Sequence, residues 1–157
     1  MTDSNSLQDC LDAAYRYLSY RPRSEGEIRQ WLRKHGFSKD VINTATTRLR
    51  EQNLTDDLAF ARFWKDNRLS FRPKSKRLIK RELRERSVSP EIAEQVTEDI
   101  DDDEVAYRLG SRRLSSLANL DYPGFYRRLA SYLGYRGFNY EVIKRTALLL
   151  WKEKEHG

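Results

Sequence analysis

Ser24-Glu25-Gly26-Glu27-Ile28-Arg29-Gln30-Trp31-Leu32-Arg33-Lys34-His35-Gly36-Phe37-Ser38-Lys39-Asp40-Val41 is the stretch whose reading decides the fold. Ser24 followed by Glu27 is a capping box, in which hydroxyl and carboxylate satisfy backbone N–H groups that lack partners in a helix's first turn. Ile28, Trp31 and Leu32 then fall on one helical face. Gly36 stands where a left-handed residue ends a helix without steric cost. Ser38 opens the next helix through Val41, Ile42, Ala45 and Leu49. The stretch therefore reads as two helices joined by a tight turn.

The pattern recurs. Ser24, Ile28, Leu32, Gly36, Phe37, Asp40 and Val41 return 51 positions later as Ser75, Ile79, Leu83, Ser87, Val88, Glu91 and Ile92. A third copy lies 50 further on, as Leu129, Leu133, Gly137, Phe138, Glu141 and Val142, with Asn139 as the cap of its second helix. In the second copy Ser89 and Pro90 make an N-cap and first-position pair. Ser87 replaces the glycine there, which predicts a looser or differently wound turn. A further helix precedes each pair, over residues 7–19, 56–69 and 104–117. The spacers lengthen along the chain, and the last, Ala118 to Gly124, is marked as a loop by Asn119, Asp121, Pro123 and Gly124.

No stretch alternates with the period of two that strands require. The expected fold is all-α, with three tandem three-helix, helix-turn-helix-like repeats forming an elongated, curved array. The expected boundaries are 1–54, 55–102 and 103–157. Arrays of this kind bind more often than they catalyse.

Composition points the same way. The 157 residues suffice to bury roughly 70% of the unfolded chain's surface. Met1 to Cys10 is polar, without the apolar segment of a signal peptide, and Ala147 to Trp151 is too short to cross a bilayer. The lone Cys10 cannot form an internal disulfide and fits a reducing, cytoplasmic compartment, packed on the first helix or, alternatively, as a reactive thiol. His35 and His156 are the two histidines, and no metal-binding, phosphate-cradling or nucleophile motif is present. The reading is a non-enzyme, without cofactor or metal, acting as a monomer away from membranes.

Charge is the second informative feature. The chain carries a net +6, but Arg62 to Arg86 holds eleven Lys and Arg against three acids, a local net of +8. Glu91 to Glu104 holds eight acids and no base. Lys76, Lys80 and Arg84 share one helical face and Arg77 and Arg81 the next, while Arg68, Arg72 and Lys74 lie just before them. Either this is a solvated face or it contacts a polyanion or an acidic protein. The run Asp99, Asp101, Asp102, Asp103, Glu104 lacks the glycine and spaced ligands of a calcium loop and fits the start of the next helix.

Two further readings follow from these residues. A DNA-binding helix-turn-helix would place Lys39, Asn43, Thr44, Thr47 and Arg48 toward a duplex, but the equivalent second-copy helix is acidic through Glu91, Glu94 and Glu98. In the third copy Tyr122, Phe125, Tyr126, Tyr132, Tyr135, Phe138 and Tyr140 mix with Arg127, Arg128 and Arg136, as at interfaces and single-stranded nucleic-acid sites. Phe125, Leu129, Leu133 and Phe138 are expected inside, and Tyr126, Tyr135 and Arg136 at the surface.

The chain resembles the RecX family of bacterial recombination regulators over nearly its whole length. The resemblance is carried by Tyr17-Leu18-Ser19 with Arg21, Ser24 and Glu27, and by Leu54-Thr55-Asp56-Asp57 with Phe60, Ala61 and Phe63. Ile79 with Glu82-Leu83, and Leu133 with Arg136-Gly137-Phe138, complete it. Where the family usually has glycine near both ends of the second unit's middle helix, this chain has Pro73-Lys74 and Arg86-Ser87. The resemblance implies a modulator that binds the RecA recombinase filament on single-stranded DNA and restrains its ATPase, strand-exchange and coprotease activities. DNA contact would be weak or made through the filament. The contact residues expected on this basis are Arg68, Arg72, Lys74, Lys76, Arg77, Lys80, Arg81 and Arg84, assisted by Arg127, Arg128 and Arg136.

Overall fold

The computed structural model describes residues 2–156, with side chains from Ser6 onward; the first five side chains of the polar N-terminal stretch lie outside the described residues. Among the described residues there are nine α-helices and no strand. They are α1 (Thr2–Leu18), α2 (Glu25–Lys34), α3 (Lys39–Glu51), α4 (Asp57–Phe71), α5 (Lys76–Glu85), α6 (Pro90–Thr97), α7 (Asp102–Ser111), α8 (Tyr122–Tyr135) and α9 (Tyr140–His156). A 3-10 turn, Leu114–Leu117, lies between α7 and α8.

The helices fall into two compact units, whose borders pass through α4, α5 and the end of α6. The first unit holds residues 1–65 and 82–96. Its core is Cys10, Leu11, Ala13 and Ala14 from α1 against Ile28 and Leu32 of α2 and Ile42, Ala45 and Leu49 of α3. The second holds residues 66–81 and 97–157. There α7 packs on α8 and α9, burying Val105, Ala106, Leu109, Phe125, Leu129, Leu133, Val142, Ala147 and Leu150.

Capping follows the sequence closely. The Ser24 hydroxyl accepts from the Glu27 amide at 3.0 Å and the Glu27 carboxylate accepts from the Ser24 amide at 3.1 Å, completing the capping box. Ser38, Ser75, Ser89, Asp121 and Asn139 cap their helices through the residue three further on. A second device was not legible in any one repeat. The first amide of α2, from Glu25, donates to Asp57 of α4 at 2.9 Å, and the first amide of α5, from Lys76, donates to Asp102 of α7 at 2.8 Å. Each middle helix of the first two repeats is thus closed by an acid from the helix that follows its pair.

The turns close on one another in the same way. The Ser24 hydroxyl donates to the carbonyl of Arg86 at 2.5 Å, and the Ser75 amide donates to the carbonyl of Arg136 at 3.0 Å. The second-repeat turn differs from the looser one expected at Ser87. Val88 donates to the carbonyl of Leu83 at 3.0 Å, as Phe37 does to Leu32 and Phe138 to Leu133. Ser87 itself takes the left-handed conformation, with φ of +66°. The serine's bulk is accommodated because the residue facing it is Gly26, where a Cβ would run into the Ser87 side chain.

A second difference is the helix expected over 104–117. It stops at Ser111 and resumes as the 3-10 turn. Continuing α-helical phase from Ala106 and Gly110 would carry Arg113 onto the buried face. Breaking there leaves Arg113 exposed, its guanidinium 4.7 Å from the Tyr132 ring, and still buries Leu117.

The joints carry an asymmetric mutational signature. Gly36 has φ of +90° and open space around a notional Cβ, whereas Gly137, at +94°, faces Leu78 and Ser75 directly. Gly36→Ala is expected to cost about 1 kcal/mol from left-handed strain alone. Gly137→Ala adds overpacking and should cost roughly 2–4 kcal/mol. Urea denaturation of both variants checks this; equal losses would mean that the second joint is not tightly packed.

Glu25 adds a pH dependence. Burial raises its carboxyl pKa, but hydrogen bonds and charges from Arg50 and Arg29 outweigh burial and hold it below 4.5. Such a group contributes stability above its ordinary value, and that contribution is lost as pH falls through the folded value. Glu25→Gln should therefore be less stable than the parent at neutral pH, with the gap closing below about 4.5. A gap independent of pH in denaturation titrations would assign the loss to packing instead.

Candidate functional site

Within the second unit, Arg72 and Lys74 are brought together with Arg136, 64 positions after Arg72, because Ser75 and Arg136 meet at the joint. They line an open concavity of about 480 Å³. Its other walls are Phe71, Pro73, Leu78, Leu109, Arg112, Tyr132 and Tyr135. No carboxylate is among the lining residues.

The linker Phe71–Lys74 supplies one wall because Pro73 cannot continue α4 and holds the chain extended before the α5 cap. The opposite wall is the last turn of α8. There Arg136 lies with its guanidinium 3.8 Å from the Tyr132 ring centroid and donates to the Tyr132 carbonyl at 3.1 Å. Stacking of this kind holds a guanidinium in place while leaving edge donors available. Phe71 and Tyr135 are 77% and 85% exposed, unusual for aromatics of that size.

The remaining cations are placed differently. Lys76 is half-buried and donates to the Glu98 carbonyl at 3.4 Å, and exposed Arg77 donates to the Gly137 carbonyl at 3.4 Å. Arg68 and Lys80 are half-buried, whereas Arg81, Arg84, Arg127 and Arg128 are exposed. Arg84 belongs to the first unit. The acidic run serves α7 and its neighbours: Asp101 caps the Asp103 and Glu104 amides, Asp102 closes α5, and Asp103 pairs with Arg145 at 3.1 Å. Among the described residues no group of three or more His, Cys, Asp or Glu converges as a metal site requires.

On α3, three of the residues a duplex reader would use, Asn43, Thr44 and Thr47, are engaged locally. Asn43 accepts from Arg29 at 2.7 Å, and the Thr44 and Thr47 hydroxyls donate to the carbonyls of Asp40 and Asn43. Of the aromatics, Phe125 and Phe138 are buried and Tyr135 is exposed as expected, while Tyr126 is half-buried beside Tyr122.

Comparison with known proteins finds three family models in chain order: the first three-helix domain of RecX over residues 10–49, the second over 56–96 and the third over 101–146. The chain belongs to the RecX family. The regulatory protein RecX of Amycolatopsis mediterranei is 33% identical over 134 residues, covering 81% of this chain and 77% of the relative. That of Prosthecochloris aestuarii is 32% identical, covering 93% of this chain and 95% of the relative. The crystal structure of RecX from Lactobacillus salivarius has the same fold, with a TM-score of 0.80, 22% identity, and coverage of 94% of this chain and 97% of that one. RecX relatives are thus named as regulatory proteins, and among the described residues of this member no helix is long and apolar enough to cross a membrane.

Sequence reading did not single out Arg112 and Phe71, which line this concavity. The signal was present in the repeat itself. Tyr20-Arg21-Pro22-Arg23 recurs 51 positions later as Phe71-Arg72-Pro73-Lys74. Arg112 had no such marker, since it follows the break in the expected helix.

Cys10 is fully buried in the first core, and burial pushes its thiol up to about 11. A protonated, enclosed thiol is a poor nucleophile. Native protein should react with a thiol reagent at pH 8 only at the rate of unfolding, whereas urea-unfolded protein reacts at once; rapid native labelling would contradict the burial.

Proposed function

We propose that this chain binds the RecA recombinase on single-stranded DNA and restrains its ATPase, strand-exchange and coprotease activities. The observation that carries the reading is the dense set of cations on α5 and its preceding linker, in a chain with three consecutive RecX domains. A filament on DNA is a polyanion with acidic protein surface beside it. A cationic surface meets it with steered association and with affinity that falls as salt rises. In this reading Arg68, Arg72, Lys74, Lys76, Arg77, Lys80, Arg81 and Arg84 form the main contact, and Arg127, Arg128 and Arg136 assist. The protein acts as a cytoplasmic monomer without cofactor, its three repeats spanning 1–54, 55–102 and 103–157. Regulation here requires binding, not chemistry by the chain's own residues.

The test is ATP hydrolysis by the cognate RecA on single-stranded DNA, with this protein titrated in at two salt concentrations. Substoichiometric inhibition that weakens with salt is expected. Reversing three cations, as Lys76→Glu, Lys80→Glu and Arg84→Glu together, should raise the protein concentration needed for half inhibition by at least about tenfold. Circular dichroism should show unchanged helicity. Inhibition undiminished in the triple variant would remove α5 from the contact, and no inhibition by the parent at any ratio would overturn the reading.

A further inference from the structure

The starts of α4 and α7 are built alike, but their surroundings differ. Asp56 caps the Leu58 and Ala59 amides while Asp57 takes the Glu25 amide. Asp101 caps the Asp103 and Glu104 amides while Asp102 takes the Lys76 amide. Where the second pair of aspartates meets Lys76, the first meets Glu25, and where Ile100 precedes the second pair, Thr55 precedes the first. Both differences make the first site more polar and more acidic.

That site is an open concavity of about 440 Å³ within the first unit, lined by Glu25, Arg50, Asn53, Thr55, Asp56 and Asp57. Three carboxylates stand there against one guanidinium. Glu25 is satisfied, with Arg50 at 2.7 Å and Arg29 at 3.2 Å. Asp56 and Asp57 each spend Oδ1 on backbone amides, and their Oδ2 atoms accept from no described residue. Burial, and then the charges of Glu25, Asp56 and Glu27, push the Asp57 carboxyl up. Thr55 points to a ligand independently of these charges. It lines the concavity, is only 6% exposed, and its hydroxyl has no hydrogen-bond partner among the described residues. A buried hydroxyl left bare is costly, and a ligand that donates to it recovers the cost.

The acceptors narrow the chemistry of that ligand. Among the described residues no three His, Cys, Asp or Glu converge as a metal ion requires. A guanidinium requires less, because its N–H donors lie in one plane and pair with carboxylate oxygens two at a time. Arg50 does this at Glu25, placing Nε and Nη2 on one oxygen at 3.1 and 2.7 Å. Leu54, between two lining residues in the chain, is 47% exposed and offers apolar surface to an arginine's aliphatic stem.

We propose that this concavity receives an arginine side chain from a partner protein, its guanidinium donating to the Oδ2 atoms of Asp56 and Asp57 and to the Thr55 hydroxyl. The inference goes beyond the regulatory reading above, which uses only cations of this chain. The two fail separately, since this one is measured with neither recombinase nor DNA.

The experiment is a heteronuclear NMR titration of the full chain with N-acetylarginine amide, an arginine with both ends blocked. Saturable shifts are expected at the amides of Glu25 and of Asn53 to Asp57. Asp56→Asn, whose side-chain oxygen still caps α4, should weaken binding at least about tenfold. Thr55→Val should weaken it roughly threefold while the melting temperature stays the same or rises, because the lost hydroxyl bonds nothing in the free protein. A threonine with a structural role alone would change stability and leave affinity untouched. Parental affinity in a folded Asp56→Asn protein would overturn the proposal, as would the absence of saturable shifts in the parent at low salt. N-acetyllysine amide binding equally well would reduce the site to a point-charge contact. Magnesium ions shifting the same amides at lower concentration would make it a metal site, and free L-arginine binding more tightly than the blocked form would make it an amino-acid site. Each of these three results overturns the assignment to a partner's arginine.

Discussion

A carboxylate from the helix that follows each of the first two helix-turn-helix pairs closes the first helix of that pair. Helices begin with amides that have no partner in their own turn, and such groups cannot be left bare where they are buried. Ser24 and Ser75 satisfy the amides three residues on, and Asp57 and Asp102 reach across to the first amides, those of Glu25 and Lys76. Burial pushes the Asp57 carboxyl up from its ordinary value, an effect the Glu25 amide only partly offsets. The cap therefore carries a desolvation cost, which the helix dipole and the hydrogen bond counter. α2 and α5 are complete only in the presence of the helix after their pair. This explains why the two compact units cut through the middle repeat instead of between repeats.

The parts of this architecture that were legible in sequence are those governed by short-range chemistry. Capping serines, left-handed glycines and the three-four spacing of Ile28, Leu32, Leu83 and Leu133 act within a few residues, and repetition made the pattern visible more than once. Asp57 and Asp102 were visible only as acids at helix starts. Nothing local distinguishes an acid that caps its own helix, as Asp101 does, from one that caps a helix earlier in the chain. Ser87 misled for a related reason: its turn depends on Gly26, 61 positions away, which leaves room for it. The same limit governed the site. Charge counting located the basic block, but the concavity draws Arg72 and Lys74 together with Arg112 and Arg136 through the Ser75–Arg136 hydrogen bond, which no periodicity announces.

The two joints differ at several positions, among them Glu27, whose counterpart is Leu78. Their common skeleton is an aromatic, Arg, Pro, basic linker, a serine cap, and an arginine carbonyl that receives the serine. Where Glu27 is present, the guanidinium groups of Arg21 and Arg86 are drawn inward against Trp64 and the capping box, and the charge is spent on stability. Where Leu78 stands instead, the equivalent arginines border an open concavity.

The acidic block makes that surface tolerable to the fold. A helix disfavours cations at its N-terminus, where the macrodipole is already positive. α2 observes the rule, with Glu25 and Glu27 in its first turn. α5 breaks it, beginning Lys76-Arg77 directly after Lys74 with no acid in its first turn. The missing negative charge comes from α7, through Asp102 at the Lys76 amide, while the Lys76 ammonium is held by the Glu98 carbonyl. The acidic block thus reaches the start of the basic helix through Asp102. Asp102 supplies from outside the helix part of the stabilisation that α5 gives up by beginning on cations.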